Sequence, residues 1–414
     1  IKSHFPISKP DTPSRDGEDG PLVKFPSTSR PVLSKAGRLA TGPVVDKFFA
    51  LGYLAGFFGI LYLGIHLWMM LNGVIAVRPS YAVMKSLHAH LQVYSFLGVF
   101  ICGFVFQAAP KLFEAGKTTS RWCLVVPGLF LAGSMLHLHP TFSSLGRAVT
   151  AAGVTLTVVL LAPALRSRAV DPLRFIASVS LTGAFIGAFL DLTDPLAALV
   201  AIWWGWGGLI LIGSQQFISG LLQGKKLRGP AGWSTAGAYT ISCAALAWAY
   251  FGPARWGLAG DIFAISATAT LLLFIATTAM SRPVATAMRS PYGMLFTLAF
   301  AWALCGSGML CISERYTDLA LHAWTLGWAT TLLLPITVRI ILFLAELPQP
   351  SGATMLTLVL VWQFVPLGRS VAHFFSPEMS VVVAVAATAA YVLWGVLLWR
   401  GILAVTKRQF RPPM

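Results

Sequence analysis

Charged side chains are scarce in this chain: Asp, Glu, Lys and Arg make up 11% of its 414 residues. A soluble domain carries about 25% charged residues, whereas here hydrophobic residues reach 56% and the mean hydropathy is +0.74. The shortage excludes an ordinary soluble protein, because the surface of the folded chain must be mostly apolar. We therefore expect lipid to cover most of that surface.

Apolar stretches long enough to cross a bilayer recur along most of the chain. A transmembrane helix needs about 20 apolar residues, so the pattern predicts an all-α, polytopic integral membrane protein with about twelve transmembrane helices. The predicted domains are an extended N-terminal tail at 1–46, a transmembrane domain at 47–404 and a short basic tail at 405–414. The predicted spans lie near residues 48–75, 87–110, 122–138, 148–165, 175–190, 196–223, 235–252, 262–280, 291–312, 319–340, 352–370 and 380–399.

Acidic residues are the rarest charges, with 14 Asp and Glu against 30 Lys and Arg. All of them fall outside the predicted spans or at their ends, so we expect no carboxylate relay that would pump protons across the membrane. Most Lys and Arg residues lie in the tails and in every second loop, which is the positive-inside pattern. This pattern places both termini in the cytoplasm. It also accounts for the net charge of +16 without a nucleic-acid partner.

Cysteine is sparse as well. The five cysteines form no C-x-x-C or C-x-x-C-H motif and no zinc-binding spacing. The sequence therefore argues against covalent haem attachment and against a disulfide framework. We expect these cysteines to be buried thiols.

Histidine is the informative residue. Seven of the eight histidines fall near the predicted outer ends of spans, and none occurs between positions 139 and 322. Ionisable groups within spans are costly and often mark function, although a single histidine also suits a membrane interface. Imidazoles held at one depth are suited to ligate haem iron or copper between helices. The layer consists of His66, His88, His90, His137, His139, His322 and His373.

The spacing within this layer limits how the histidines are used. Residues i and i+2 on a helix point about 200° apart, so His88 and His90 cannot serve one metal from a rigid helix. Each such pair offers one ligand and one residue for a second metal, a haem propionate or the interface. We expect spans two and ten to be neighbours, with His88 and His322 facing each other. The candidate metal ligands are His88, His322, His90, His66, His137 and His139.

The run LHAHLQVYSFLGVFICGFVFQAAPKLF in span two resembles the second helix of haem–copper oxidase and nitric oxide reductase catalytic subunits. Together with LHAWTLGWATTLLLPITVR in span ten, it is more similar to the NnrS family of twelve-span haem- and copper-containing membrane proteins. The resemblance implies a haem–copper-oxidase-like bundle in a bacterial inner membrane, with haem b and copper as cofactors. By position it assigns His88 and His322 as haem ligands and His90 as the second histidine of the motif.

The chain departs from the oxidase pattern in two places. Position 324 is Trp where oxidases have a second histidine, and spans six and seven contain no histidine for an active-site copper. Span six instead carries tryptophans at 203, 204 and 206, which we expect to form an interfacial belt, with the wall of a cofactor site as the alternative. An oxygen-reducing binuclear centre is therefore not expected. Arg369 is a candidate partner for a haem propionate, because guanidinium forks suit carboxylates, or it is a plain interfacial cation.

Three functions fit these features. The first is an NnrS-like haemoprotein for nitric oxide handling or outer-side electron transfer, supplied by quinone or by an outer-side electron carrier. The second is a non-catalytic accessory subunit, whose proline-rich tail at 1–46 binds a partner membrane subunit. That tail has too few apolar residues for a core of its own, so we expect a partner, or the inner ends of its own helices, to order it. The third is a transporter, which polar groups near the midplane would indicate.

Overall fold

The computed structural model describes residues 42–77, 80–113, 121–166, 171–222, 224–253, 256–279, 290–371 and 377–409. Within these ranges the chain forms twelve long helices and no strand, and each helix falls on one predicted span. Nine of them are long and apolar enough to cross a membrane. The polytopic all-α fold is therefore confirmed, while the count of twelve spans stays a prediction. Residues 1–41, and with them most of the predicted tail, lie outside the described residues.

Four helices change from α to π geometry along their length and back again. A π turn closes i→i+5 hydrogen bonds and is wider than an α turn, and each π segment here is eight residues long. The four are α1 (Gly42–Gly56, π Phe57–Gly64, Ile65–Leu71), α2 (Tyr81–His90, π Leu91–Gly98, Val99–Leu112), α6 (Pro195–Leu199, π Val200–Gly207, Gly208–Leu221) and α10 (a 3₁₀ turn Glu314–Tyr316, Thr317–His322, π Ala323–Thr330, Thr331–Leu344).

The other eight helices have no π segment. Two of them, α3 and α5, are shorter than the usual spanning length, and α7 is long enough but less apolar. Turns of 3₁₀ helix at Arg121–Leu124 and Pro140–Phe142 precede α3 and α4. The eight are α3 (Val125–Leu136), α4 (Ser143–Leu165), α5 (Pro172–Ala188), α7 (Gly229–Phe251), α8 (Gly257–Thr278), α9 (Pro291–Ile312), α11 (Gly352–Val371) and α12 (Pro377–Gln409).

Three of the twelve helices begin with the same local chemistry, a capping side chain followed by proline. The carboxylates of Asp171 and Asp194 each accept a hydrogen bond from the backbone N–H two residues on, at 3.1 Å. The hydroxyl of Ser290 accepts one from the Gly293 N–H at 3.2 Å. Because proline needs no hydrogen-bond partner at the first helical position, these pairs fix the starts of α5, α6 and α9.

Helices α2, α6 and α10 form the centre of the bundle. In their most apolar stretches 89%, 83% and 72% of the residues are buried, against 33–56% in the other six spanning helices. These three helices also share one register: in each, an eight-residue π segment leads into a fourteen-residue α segment. The centre is thus built from three copies of one α–π–α pattern. The hydropathy of the sequence does not predict this pattern.

Side chains from neighbouring helices hydrogen-bond to backbone carbonyls in the π segments. The Tyr239 hydroxyl on α7 lies 3.1 Å and 2.7 Å from the carbonyl oxygens of Trp203 and Trp204. The Trp362 indole N–H on α11 donates to the Leu326 carbonyl at 3.0 Å. Because lipid offers no hydrogen-bond donors, such side chains stabilise the π segments and fix the packing of adjacent helices.

The tryptophans of span six are not an interfacial belt, so that expectation is wrong. Trp203 and Trp206 are completely buried, and the Trp203 ring lies against the Trp324 ring of α10 with 4.7 Å between centroids. The Trp203 N–H donates to the Ser242 hydroxyl at 2.8 Å, and the Trp324 N–H to the Ala303 carbonyl at 2.9 Å. The indoles of Trp203 and Trp324 thus have internal acceptors, which allow these side chains to lie in the core, whereas the buried Trp206 N–H has none among the described residues.

The first and last helices are joined by a reciprocal tyrosine pair. The Tyr53 hydroxyl donates to the Tyr391 carbonyl and the Tyr391 hydroxyl donates to the Tyr53 carbonyl, both at 2.9 Å. Their rings stack with 4.6 Å between centroids. The close approach requires Gly395, because a Cβ there would overlap the Tyr53 hydroxyl.

We predict that Gly395→Leu lowers the free energy of unfolding by about 1–3 kcal/mol, the usual cost of overpacking a filled interior. Thermal unfolding of the detergent-solubilised protein would measure it. The matched control is Val396→Leu, because Val396 is the next residue on α12 and is 62% exposed. Equal melting temperatures for the two variants would contradict a tight Tyr53–Tyr391 contact.

Candidate metal centre

His88 is held by the π segment of α1. Its Nδ1 lies 2.7 Å from the Gly59 carbonyl oxygen. Gly64 leaves room for the ring, since a Cβ there would lie 3.1 Å from His88 Cε1. The neighbouring helix α1 therefore provides both a backbone acceptor for the His88 side chain and, at Gly64, the space for its ring.

His322 on α10 is held within its own helix. Its Nδ1 lies 2.7 Å from the Asp318 carbonyl oxygen and 3.6 Å from Asp318 Oδ1. The other carboxylate oxygen of Asp318 accepts a hydrogen bond of 2.5 Å from Arg369 Nη2 on α11. Arg369, expected beside a haem propionate, thus contacts the residue that anchors His322.

These groups lie at one end of the bundle, which we call the histidine end. His88 lies three residues before the π segment of α2, and His322 lies directly before that of α10. Because these helices share one register, both imidazoles lie toward the same end of the bundle.

The hydrogen bonds at Nδ1 fix the tautomer of three histidines. A carbonyl oxygen can only accept, so the Nδ1 atoms of His88, His90 and His322 must carry the proton that they donate. In a neutral imidazole the other nitrogen, Nε2, then presents a lone pair. This tautomer, with Nδ1–H on a backbone carbonyl, is the one that metal-ligating histidines use.

His90 points away from His88, as the i, i+2 spacing requires, and stacks on His137 at the end of α3. The two ring centroids are 3.6 Å apart with an angle of 22° between the ring planes. His90 Nδ1 lies 3.0 Å from the Ser86 carbonyl oxygen, and His137 Nδ1 lies 3.1 Å from the Ser143 hydroxyl. Both Nε2 atoms are buried without a hydrogen-bond partner among the described residues. This stacked pair is a second candidate centre.

The remaining histidines do not join these two groups. His139 is exposed beside Phe142, with ring centroids 5.5 Å apart, and His66 is half-buried against Tyr62 at 6.3 Å. His373 lies outside the described residues. In the described part of the chain no three His, Cys, Asp or Glu side chains are placed to hold one metal ion. The arrangement offers pairs of imidazoles, which suit haem because the macrocycle supplies the other iron ligands.

The structural alignment of α2 with α10 differs from the alignment that their sequences suggest. The shared letters Leu-His-Ala pair His88 with His322. In the fold, however, His90 and His322 each directly precede a π segment, so they are the equivalent positions. His88 lies two residues before His90 on α2, and its side chain reaches α1.

Sequence reasoning missed Asp318, Ser143 and Gly59 as parts of these centres. Asp318 lies four residues before His322, so helical spacing was a usable signal for it. Gly59 and Ser143 act from other segments of the chain, and only the packing of α1 and α4 reveals them.

Comparison with known proteins supports the resemblance drawn from the motif. The family model described as NnrS protein matches residues 47–408, nearly the whole chain. The chain belongs to the NnrS family. A search of curated proteins finds no match. The NnrS match includes every histidine of both candidate centres, and it makes this chain a membrane protein of a family associated with nitric oxide responses.

In this NnrS protein, a loop with charged residues lies beside the His90–His137 pair. Asp191, between α5 and α6, accepts hydrogen bonds from the Thr193 N–H at 3.1 Å and the Thr193 hydroxyl at 2.8 Å. Partial burial acts to raise the pKa of Asp191, but the Thr193 donors and the charge of Arg147 outweigh it and hold the pKa below its ordinary value of 3.8. Arg147 in turn donates to the Phe189 carbonyl at 3.3 Å.

We predict that Asp191→Asn lowers the melting temperature at neutral pH, because the amide loses the attraction of Arg147. A depressed folded-state pKa contributes stability above the unfolded-state pKa and loses it as pH falls through the folded value. The deficit of the variant should therefore shrink as the pH is lowered past 3.8, and Thr193→Val should shift this loss to higher pH. Melting curves over a pH series test this, and a deficit that is independent of pH would contradict it.

Proposed function

We propose that this NnrS-family protein is a membrane haemoprotein that handles nitric oxide or outer-side electrons, with a haem b iron held between His88 and His322. The observation that carries the proposal is the shared tautomer, with Nδ1–H on the carbonyls of Gly59 and Asp318 at 2.7 Å. In the neutral form of each ring this leaves an Nε2 lone pair available to a metal.

The residues around the two imidazoles fit a haem in two further respects. A guanidinium carries five N–H donors, so the contact of Arg369 with Asp318 does not use up its capacity for a propionate. The centre needs only two protein ligands, which matches the pairing of the histidines. Bound there, haem would supply a redox-active iron and, with one imidazole absent, an open position for nitric oxide.

The residues of the chain would have three separate tasks. Gly59 and Asp318 orient the imidazoles through their carbonyls, and Arg369 neutralises the Asp318 carboxylate. Deeper in the bundle, the Trp203 and Trp324 rings pack against each other at an angle of 31° and exclude water. Because Trp324 and the tryptophans of span six stand where the oxidase pattern has histidines, these positions favour a haem without an adjoining oxygen-reducing copper.

A second metal, copper, is proposed at the stacked pair His90 and His137. Two buried Nε2 atoms without partners are the specific observation in its favour. A buried polar atom without a hydrogen bond costs about 1–3 kcal/mol, and a metal with affinity for imidazole, such as copper, would remove that cost. The proposed source of electrons is quinone or an outer-side carrier, and a partner membrane subunit at the tail stays part of the proposal.

We predict that the double variant His88→Ala, His322→Ala loses all haem absorbance in the Soret region, because neither residue proposed to hold the iron remains. His139→Ala is the matched control, since His139 is exposed in a loop at the end of α3, and His373→Ala should also keep most of the absorbance. A full Soret band in the double variant would refute this pair as the haem ligands.

We also predict that His90→Leu, His137→Leu removes bound copper and leaves the Soret band in place, because these residues do not contact His88. Metal analysis of the purified protein, expressed per chain, measures this directly. His66→Leu serves as the control, because His66 packs only against Tyr62 among aromatic rings. Copper content equal to that of the wild type would rule out the stacked pair as its site.

A further inference from the structure

The three central helices carry polar residues at equivalent positions near the end opposite the histidines. Gln107, Gln216 and Arg339 are each the ninth residue of the fourteen-residue segment that follows a π segment. All three line one cavity of about 340 Å³. The shared register therefore brings two amides and a guanidinium together inside an otherwise apolar bundle.

The cavity contains a positive charge that no carboxylate balances within the described residues. Arg339 Nη1 donates to the Tyr292 hydroxyl at 2.8 Å, and its guanidinium lies 4.7 Å from the centroid of the Tyr292 ring. Both contacts are to a neutral side chain. A charge in this position favours an anion with oxygen acceptors, because guanidinium forks suit such groups.

The Gln107 amide favours a ligand that also donates a hydrogen bond. Gln107 Oε1 is buried without a partner among the described residues, so a hydroxyl would satisfy it. The negative ends of the three helix dipoles do not oppose an anion here. Their effect is confined to about the last turn, whereas each polar residue lies five residues before its helix end at Leu112, Leu221 or Leu344.

The shape of the cavity points to a lipid. Phe104, Phe217, Ile340 and Phe343 supply apolar walls, and Phe343 is 50% exposed on the outer surface of the bundle. A deeper apolar cavity between the same three helices is much smaller, at about 30 Å³ against about 340 Å³ for the polar cavity. An acyl chain therefore has no room inwards and would leave past Phe343 into the bilayer.

We infer that this cavity binds the head group of an anionic phospholipid with free hydroxyls, such as phosphatidylglycerol. The phosphate lies on Arg339 and Gln216, the head-group hydroxyls donate to Gln107, and the acyl chains run along Ile340 and Phe343. The three polar residues lie toward the ends of their helices, the part of a spanning helix that is closest to lipid head groups. A neutral quinone head would leave the Arg339 charge unbalanced.

Native mass spectrometry of the full-length protein tests this assignment. Delipidated protein in detergent is incubated with equal amounts of phosphatidylglycerol and phosphatidylcholine, and the retained lipid is counted. We expect the wild type to retain one phosphatidylglycerol per chain, and Arg339→Gln to reduce the phosphatidylglycerol preference about tenfold, the effect of losing one charged hydrogen bond. Lys226→Gln is the matched control, because it removes an equal charge from an exposed position outside the cavity.

Further arms separate the possible outcomes. Phosphatidic acid lacks the glycerol head group of phosphatidylglycerol. The variant Gln107→Leu should therefore no longer discriminate between these two lipids. This variant tests the site even if Arg339→Gln misfolds. Equal retention of phosphatidylglycerol and phosphatidylcholine by the wild type would overturn the inference. So would an unchanged preference in folded Arg339→Gln, or displacement of the lipid by inorganic phosphate alone.

Discussion

Backbone carbonyls that lose their helical partners must find donors inside the protein, because hydrocarbon supplies none. This constraint acts most strongly where an α-helix passes into a π segment and the hydrogen-bond pattern shifts by one residue. The structure meets it with side chains from adjacent helices: Tyr239 for α6, Trp362 for α10 and His88 for α1. The same bonds therefore pack the helices and orient the groups at the candidate site.

His88 shows how one contact serves both purposes. Its Nδ1–H satisfies Gly59 in the π segment of α1 and so stabilises the contact between α1 and α2. The same bond assigns the proton to Nδ1 and leaves the lone pair at Nε2. A ligand that is oriented by the fold in this way needs little reorganisation when a metal binds.

The fold could be predicted from sequence to the extent that it depends on apolar length. Each described helix lies on a predicted span, because a bilayer demands about 20 apolar residues whatever their order. The π segments could not be predicted, since sequences such as VAIWWGWG are as apolar as an ordinary α segment. The tryptophans of that run were misplaced for a related reason: their indole N–H favours an interface, but Trp203 finds Ser242 as an internal acceptor.

The candidate site was predictable in its residues but only partly in its geometry. Histidine is costly in a span, so its position alone marks His88, His90 and His322 as unusual. Which of them pair depends on register, and the letters Leu-His-Ala align α2 and α10 two residues away from their structural equivalence. The stacking of His90 on His137 depends on where α3 ends, which hydropathy defines only within a few residues.

The three-helix centre also separates two chemical environments. On α10, His322 and Arg339 are separated by 17 positions, which would span about 25 Å in a pure α-helix and somewhat less here because the π segment lies between them. Between them lies a packed layer in which Trp203 contacts both Trp324 and Trp328. Trp203, Trp324 and Trp328 are each fully buried. None of the described side chains that line the polar cavity around Arg339 belongs to either candidate centre, so a substitution in one environment leaves the groups of the other in place.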